Sequence, residues 1–420
     1  MNFYGIDISE KIEKMASEAE ADIKDVFEKI DSVAMNNTAK VIAAFRKYKV
    51  AENFFYGTTG YGYDDKGRDE LDNIYAEVFG AEAGLVRIGF VNGTHAISAS
   101  LFSMLRPGDV LLSATGMPYD TIRSTIGIEG NYPGSMKQYG IEYRQVDLLP
   151  DSRPDIEKIK IAASDKRVRE VMVQRSRGYS SRNSISVADI GKICDAVHEV
   201  NPNAYVIVDN CYGEFVEEIE PTNVGADLMA GSLIKNPGGA LAPTGGYIVG
   251  KRELVEASAM RLTTPGIGRE CGSTLGNNRL LYQGFFMAPH TVAQALKTAV
   301  FCARMMEKMG YKSFPASTDP RSDIVQVIEL GSGENLVNFC KGIQSAAPVD
   351  SFVSPEPWAM PGYNDPVVMA AGAFIQGASI ELSADGPMRE PYFAYLQGGI
   401  TYESGKLGIM IASELLLKNN

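Results

Sequence analysis

Lys235 lies in Ala230-Gly-Ser-Leu-Ile-Lys235-Asn-Pro-Gly-Gly239, just after an apolar run and just before a Gly/Pro break. Upstream, the apolar stretch Tyr205-Val-Ile-Val-Asp209 ends on a carboxylate. A lysine amine can form an imine with an aldehyde coenzyme. A carboxylate beside a pyridine nitrogen favours the protonated ring by charge pairing. Together the two are the minimum kit of pyridoxal-phosphate chemistry, in which the ring is an electron sink for a carbanion at Cα. A lone lysine would be a solvated surface charge; the pairing with Asp209 gives this one its meaning. The small residues around it (Gly231, Ser232, Pro237, Gly238, Gly239) are expected to let a planar coenzyme approach the backbone.

A phosphate would need donors. Asn92-Gly93-Thr94 falls between an expected strand and an expected helix, where free backbone N–H groups face an anion. Ser232 can add a contact, and His95 is a candidate flanking residue, equally readable as a first-turn residue with no coenzyme contact. Tyr119, in Gly116-Met-Pro-Tyr119, follows the next strand and could stack on the ring or move a proton. For a substrate carboxylate, a guanidinium fork is the natural partner. Arg177, in Gln174-Arg-Ser-Arg177-Gly, and Arg389, in Ala384-Asp-Gly-Pro-Met-Arg389-Glu-Pro, are the candidates. A solvated basic loop is the alternative for Arg177.

Positioning such residues takes an α/β framework. Apolar positions Ile23, Val26, Phe27 and Ile30 predict a helical N-terminal arm over 1–60. From Arg68 onward helical and strand patterns alternate, which predicts a mainly parallel sheet covered on both faces. Asp209 then falls at a strand's C-terminal end, where open α/β sheets place their sites. A long helix over about 277–309 closes a large domain at 61–309. Stretches 323–330, 334–346, 372–382 and 402–417 predict a small α+β domain at 310–420.

The chain has 420 residues and a formal net charge of −12, so no basic excess is available for nucleic acid. Its five scattered cysteines form no C-x-x-C pair, which fits a reducing cytoplasm and offers no metal site. No apolar run is long enough to span a membrane, and no apolar signal core opens the sequence.

Asp209-Asn-Cys-Tyr-Gly-Glu-Phe215, Ala230 to Gly239, Tyr61-Gly-Tyr-Asp-Asp65 and Gln397-Gly-Gly-Ile-Thr-Tyr402 carry a resemblance. The chain resembles the cystathionine β-lyase-like group of fold-type I pyridoxal-phosphate enzymes, also labelled aluminium-resistance or methionine γ-lyase family proteins. The resemblance implies an aspartate aminotransferase-like fold with a seven-stranded large sheet and a small C-terminal domain. It implies a homotetramer built from dimers, with active sites at the dimer interface. Lys235 becomes the Schiff-base lysine, Asp209 the pyridinium partner, and Gly93, Thr94 and Ser232 phosphate donors. Tyr119 becomes the stacking tyrosine, and Tyr61 or Tyr63 reaches the neighbouring subunit's phosphate. The family's Thr before the lysine is Ile234 here. Its Tyr-x-Arg reads Tyr61-Gly-Tyr63, with Arg68 following later. Its Arg-Leu-Ser carboxylate anchor reads Glu381-Leu-Ser383. The implied reaction is β- or γ-elimination from a sulfur-containing L-amino acid. An aldolase, racemase or transaminase remains open, since one carbanion can partition several ways. So does a non-catalytic acidic binding protein. A nucleotide-binding dehydrogenase is the weaker alternative, because Gly93-Thr-His-Ala is not a G-x-G-x-x-G loop.

Overall fold

A computed structural model describes residues 2–3, 6–180, 182–359 and 365–418. Two short strands, β1 (Asn2–Phe3) and β2 (Ile6–Asp7), pair antiparallel ahead of helices α1 (Glu10–Asp22), α2 (Lys24–Lys47) and α3 (Lys66–Val78). An alternating run follows: β3 (Ala83–Arg87), α4 (Gly93–Met104), β4 (Val110–Ser113), α5 (Asp120–Ile126), β5 (Glu142–Gln145), α6 (Ile156–Ala163) and β6 (Val168–Gln174). It continues through α7 (Val187–Val200), β7 (Tyr205–Asp209), β8 (Leu228–Ser232), β9 (Gly246–Gly250) and α8 (Arg252–Leu262).

The seven strands β3 to β9 form one sheet in the order β3-β9-β8-β7-β6-β4-β5, and only β9 runs against the rest. Alternate residues feed opposite faces, as strand geometry requires. Val171, Val173, Val206 and Val208 join one buried cluster; Met172 and Ile207 join the other. Helices cover both faces, so β3, β4, β8 and β9 are buried at every position. Side-chain caps fix where the helices start: Asn92 for α4, Asp155 for α6 and Ser186 for α7.

Helix α9 (Asn278–Lys308) leads to a second sheet. Strands β10 (Lys312–Phe314), β11 (Gln326–Glu329), β12 (Val367–Ala370), β13 (Ser383–Pro387) and β14 (Phe393–Gln397) are all antiparallel, in the order β10-β11-β14-β13-β12. Helices α10 (Gly333–Ser345) and α11 (Tyr402–Leu417) pack on one face of it, with Phe339, Cys340, Ile343 and Ile409 in the core. The expected break near 309/310 falls between α9 and β10. Within the expected arm, the α1 residues Ile12, Ala16 and Ala19 pack into the small-sheet core, while Val41 and Ala44 of α2 join the large-sheet core. Residues 372–382, expected as a regular element, form an irregular loop between β12 and β13. Gly372, Gly377 and a carboxylate clamp explain it: Phe374 N–H and Ile375 N–H both donate to Glu381, at 2.7 and 2.9 Å. Among the described residues, no helix is long and apolar enough to cross a membrane.

Candidate active site

A cavity of about 360 Å³ opens at the C-terminal ends of the parallel strands, facing the small sheet. Strand ends deliver its walls: Gly93 and Thr94 after β3, Tyr119 after β4, Gln174 and Gly178 after β6, Asp209, Cys211 and Tyr212 after β7, and Ser232 and Lys235 after β8. That is where an open α/β sheet leaves room for a ligand.

The Lys235 amine sits 4.0 Å from the centre of the Tyr212 ring. Burial alone would lower its pKa, but Cys211, Tyr212 and Asp209 together hold it above the usual lysine range. Burial pushes the Asp209 carboxyl up, and Lys235 and the Cys211 N–H, which donates to Oδ1 at 3.1 Å, oppose that. The cavity therefore carries a buried amine and carboxyl that sense each other's charge. Tyr212 holds a left-handed backbone, φ 72°, which a non-glycine residue adopts at a cost of about 1–2 kcal/mol. Its hydroxyl is fixed against Ser379 at 2.7 Å. Sequence reasoning passed over Tyr212, because a tyrosine among 20 carries no signal of its own.

The start of α4 faces the same space. The Asn92 side chain accepts from His95 N–H at 2.9 Å, leaving the earlier N–H groups of the helix unclaimed by that cap. A Cβ on Gly93 would lie 3.0 Å from Ser232 Cβ and 3.3 Å from Cys211 Sγ, so glycine lets this helix start approach the lysine loop. The Thr94 hydroxyl bonds Thr121 at 2.9 Å, adding a second hydroxyl to the corner. Tyr119 N–H donates to Gln174 Oε1 at 2.6 Å, and its ring is held against Gly178. Backbone N–H groups, hydroxyls, an aromatic ring, an amine and a carboxyl fit the phosphate, ring and aldehyde of a pyridoxal coenzyme.

The other expected residues lie elsewhere. His95 does not line the cavity; its Nδ1 accepts from Val91 N–H at 3.2 Å and its ring meets Phe90 edge-on. Tyr61 and Tyr63 stack on each other, centroids 5.5 Å apart, on the exposed surface outside the cavity lining. Arg68 is buried and ties Gly62 O to Gly272 O, a loop clamp. The glycines after Lys235 serve a purpose other than the expected one. A Cβ on Gly239 would lie 2.2 Å from Gly284 O, and one on Gly238 would strike Leu233 O. They let the turn after Lys235 dock on α9 rather than admit a coenzyme.

Arg177 and Arg389 line a neighbouring outer cavity of about 880 Å³, with Arg182, Tyr119 and Tyr179. Arg177 is fully buried, donating to Phe314 O at 2.8 Å beside Asp323. Arg389 is exposed and pairs with Asp365 at 3.2 Å. Arg182 was not singled out by the sequence; it donates to Gln174 O at 3.0 Å, and burial lowers its pKa to about 10. Glu381, standing where the resembling family has arginine, holds the 374–375 loop and anchors no carboxylate.

The methionine gamma-lyase family model matches residues 12–417. An uncharacterized Bacillus subtilis protein, YnbB, is 52% identical over 410 residues, covering 97% of each chain. A crystal structure of a carbon-sulfur lyase involved in aluminum resistance from Clostridium novyi is 50% identical and superposes with a TM-score of 0.94, over 97% of this chain and 96% of that one. The pyridoxal-5'-phosphate-dependent protein YhfS of Escherichia coli shares the fold at 18% identity, with a TM-score of 0.62 over 92% and 96% of the two chains. The fold is that of the fold-type I pyridoxal-phosphate enzymes. The chain belongs to the methionine gamma-lyase family.

Proposed function

We propose that this chain is a carbon-sulfur lyase that eliminates a thiol from a sulfur-containing L-amino acid and, with one solvent water taken up, gives ammonia and a 2-oxo acid. The observation that carries the reading is the Lys235 amine seated on the Tyr212 ring, within electrostatic reach of Asp209, in a cavity at the strand ends. When bound, the coenzyme supplies an electron sink conjugated to the substrate Cα. Asp209 would keep a proton on the ring nitrogen. The helix start at Gly93 and Thr94, with Ser232, would hold the phosphate, and Tyr119 would pack on the ring.

Lys235 would hold the coenzyme through its side-chain amine. Its freed amine then takes the Cα proton, and Tyr212 beneath keeps that amine on line. Tyr119 or Lys235 delivers a proton to the departing sulfur, from Cβ or, after a second proton shift, from Cγ. Arg389 receives the substrate carboxylate. Its exposed pair with Asp365 is worth only about 0–1 kcal/mol and exchanges easily. Arg177 is committed to Phe314 O and Asp323 and positions the loop. The exposed Tyr61–Tyr63 pair faces a second copy of the chain.

Lys235→Ala tests the reading. Purified with added coenzyme, the variant should lack the borohydride-fixable visible band and release no thiol from L-cystathionine. Elimination by the variant at the wild-type rate would sink the assignment.

A further inference from the structure

Behind Lys235 and Asp209 lies a buried polar network that the mechanism leaves unused. Its members are Arg175, Asn210, Glu214, Glu220, Asn236 and Tyr247, all closed to solvent. Asn210 directly follows Asp209, and Asn236 directly follows Lys235, so the network grips the chain one residue beyond each. The Asn210 amide donates to Glu220 Oε2 at 3.1 Å and accepts from Arg175 Nη1 at 2.8 Å. The Asn236 amide donates to the Glu214 carbonyl at 3.0 Å. The Tyr247 hydroxyl, on β9, donates to Glu214 Oε1 at 2.8 Å. Asn210 Nδ2 reaches that hydroxyl at 3.5 Å and joins the two arms.

Glycines reserve the space. A Cβ on Gly231 would lie 2.6 Å from Glu214 Oε1, and one on Gly213 would lie 2.5 Å from the Arg175 side chain. Gly231 belongs to β8, the strand that delivers Lys235, so the Glu214 carboxyl is pressed against the back of that strand. An acid is a costly group to bury as mere filling. Burial pushes the Glu214 carboxyl up to about 8; its own N–H, the Tyr247 hydroxyl and Lys235 oppose that, and Glu220 adds to it. Tyr247 from β9, Tyr75 from α3 and Cys211 from the loop after β7 also sense its charge. Arg175 is already paired with Glu217 and Glu220, at 2.9 and 3.3 Å, which leaves Lys235 as the cation that Glu214 senses. Near neutral pH the carboxyl is an uncharged, hydrogen-bonded wedge. On the alkaline side it becomes a negative charge behind the lysine strand.

We propose that Glu214 is a positioning residue for Lys235: with Asn236 and Tyr247 it fixes the lysine loop relative to Asp209, and its ionisation tightens the hold of Lys235 on its proton. The proposal rests on Lys235 being the lysine that bears the coenzyme, and adds the group that sets the charge of that amine.

Reductive methylation with formaldehyde and cyanoborohydride, on the full coenzyme-free chain, reads the unprotonated fraction of Lys235 by mass spectrometry. Glu214→Gln keeps an acceptor for Tyr247 and cannot ionise. At about pH 6.5 the variant and the wild type should label Lys235 at the same rate. At about pH 9 the variant should label it about 3- to 10-fold faster, the scale of one buried charge acting on a neighbouring amine. A purely structural role would not make the rates part with pH. Rates that coincide at both pH values, or differ equally at both, overturn the proposal. Coenzyme titration near pH 7 tests the grip. Glu214→Leu should weaken coenzyme binding about 10-fold, and Glu214→Gln should hold it within about 2-fold of the wild type, the scale of one unmade buried hydrogen bond. If the leucine variant does not fold, Tyr247→Phe should weaken binding about 3-fold by the same lost bond. Wild-type affinity in whichever of these two is measured overturns the positioning role. A wild type that takes up no coenzyme and releases no thiol from L-cystathionine defeats the lyase reading, while the labelling rates still decide whether Glu214 governs Lys235.

Discussion

The two walls of the inner cavity are built on opposite logics. On the large-sheet side three polar groups have local partners: Asp209 takes the Cys211 N–H, the Tyr119 N–H is tied to Gln174, and Thr94 to Thr121. On the small-sheet side Ser383 Oγ, Asp385 Oδ1 and Gln397 Oε1 are unpaired among the described residues, while Tyr179 bonds the Asp385 carboxyl. A satisfied wall is preorganised for a group that stays; an unsatisfied wall waits for one that comes and goes. The large-sheet wall, with Lys235 and Asp209, is the one the proposed function gives to the coenzyme.

The strongest way to break this division is at Lys235. Replacement by Ala should lower kcat by about 1000-fold or more, the scale of a lost proton-transfer group, measured as thiol release. A loss confined to KM would place the lysine on the substrate wall instead. Asp209→Asn comes next, with kcat reduced on the order of 100-fold and the visible band shifted, because a charged partner of the ring is gone. Gly93→Ala probes the same wall through packing. Its Cβ would press on Ser232 and Cys211, so coenzyme affinity should fall about 10-fold and stability by about 1–3 kcal/mol, read by coenzyme titration and thermal melting. Arg389→Ala sharpens the substrate side. It should raise KM about 10-fold with little change in kcat, as expected for uniform binding.

The same division explains what the sequence could disclose. The large-sheet wall is assembled from short loops following strands, so its lining residues Lys235, Asp209, Gly93 and Thr94 stand out in the sequence by type and by place after an apolar run. Six of the seven large-sheet strands share one direction for the same reason: α/β alternation is a local pattern. The substrate wall is different. Asp385 and Gln397 become neighbours only through antiparallel pairing of β13 with β14, and nothing in Ser-Ala-Asp-Gly-Pro tells which face that pairing buries. Tyr212 is invisible because its value lies in a left-handed backbone. His95 misled because the first turn of a helix can aim outward or inward, and here Val91 N–H holds the ring. The glycines beside Lys235 were legible as a close approach, but the approaching body is α9.

The smallest expected effect is a slope, and it bears directly on the unsatisfied wall. In the unfolded chain an aspartate ionises near pH 4, whereas folding raises Asp385 to about 7. Between those values the folded protein keeps a proton that the unfolded chain has released. The stability this group supports is therefore complete below about pH 4 and declines as pH rises toward 7, by at most about 1.4 kcal/mol per pH unit. Asp385→Asn cannot ionise and should lose less stability than the wild type between pH 5 and pH 7, in thermal melts of the ligand-free protein. Identical pH profiles for the two proteins would mean that Asp385 is already compensated within the fold, and the contrast between a finished wall and a waiting one would lose its central member.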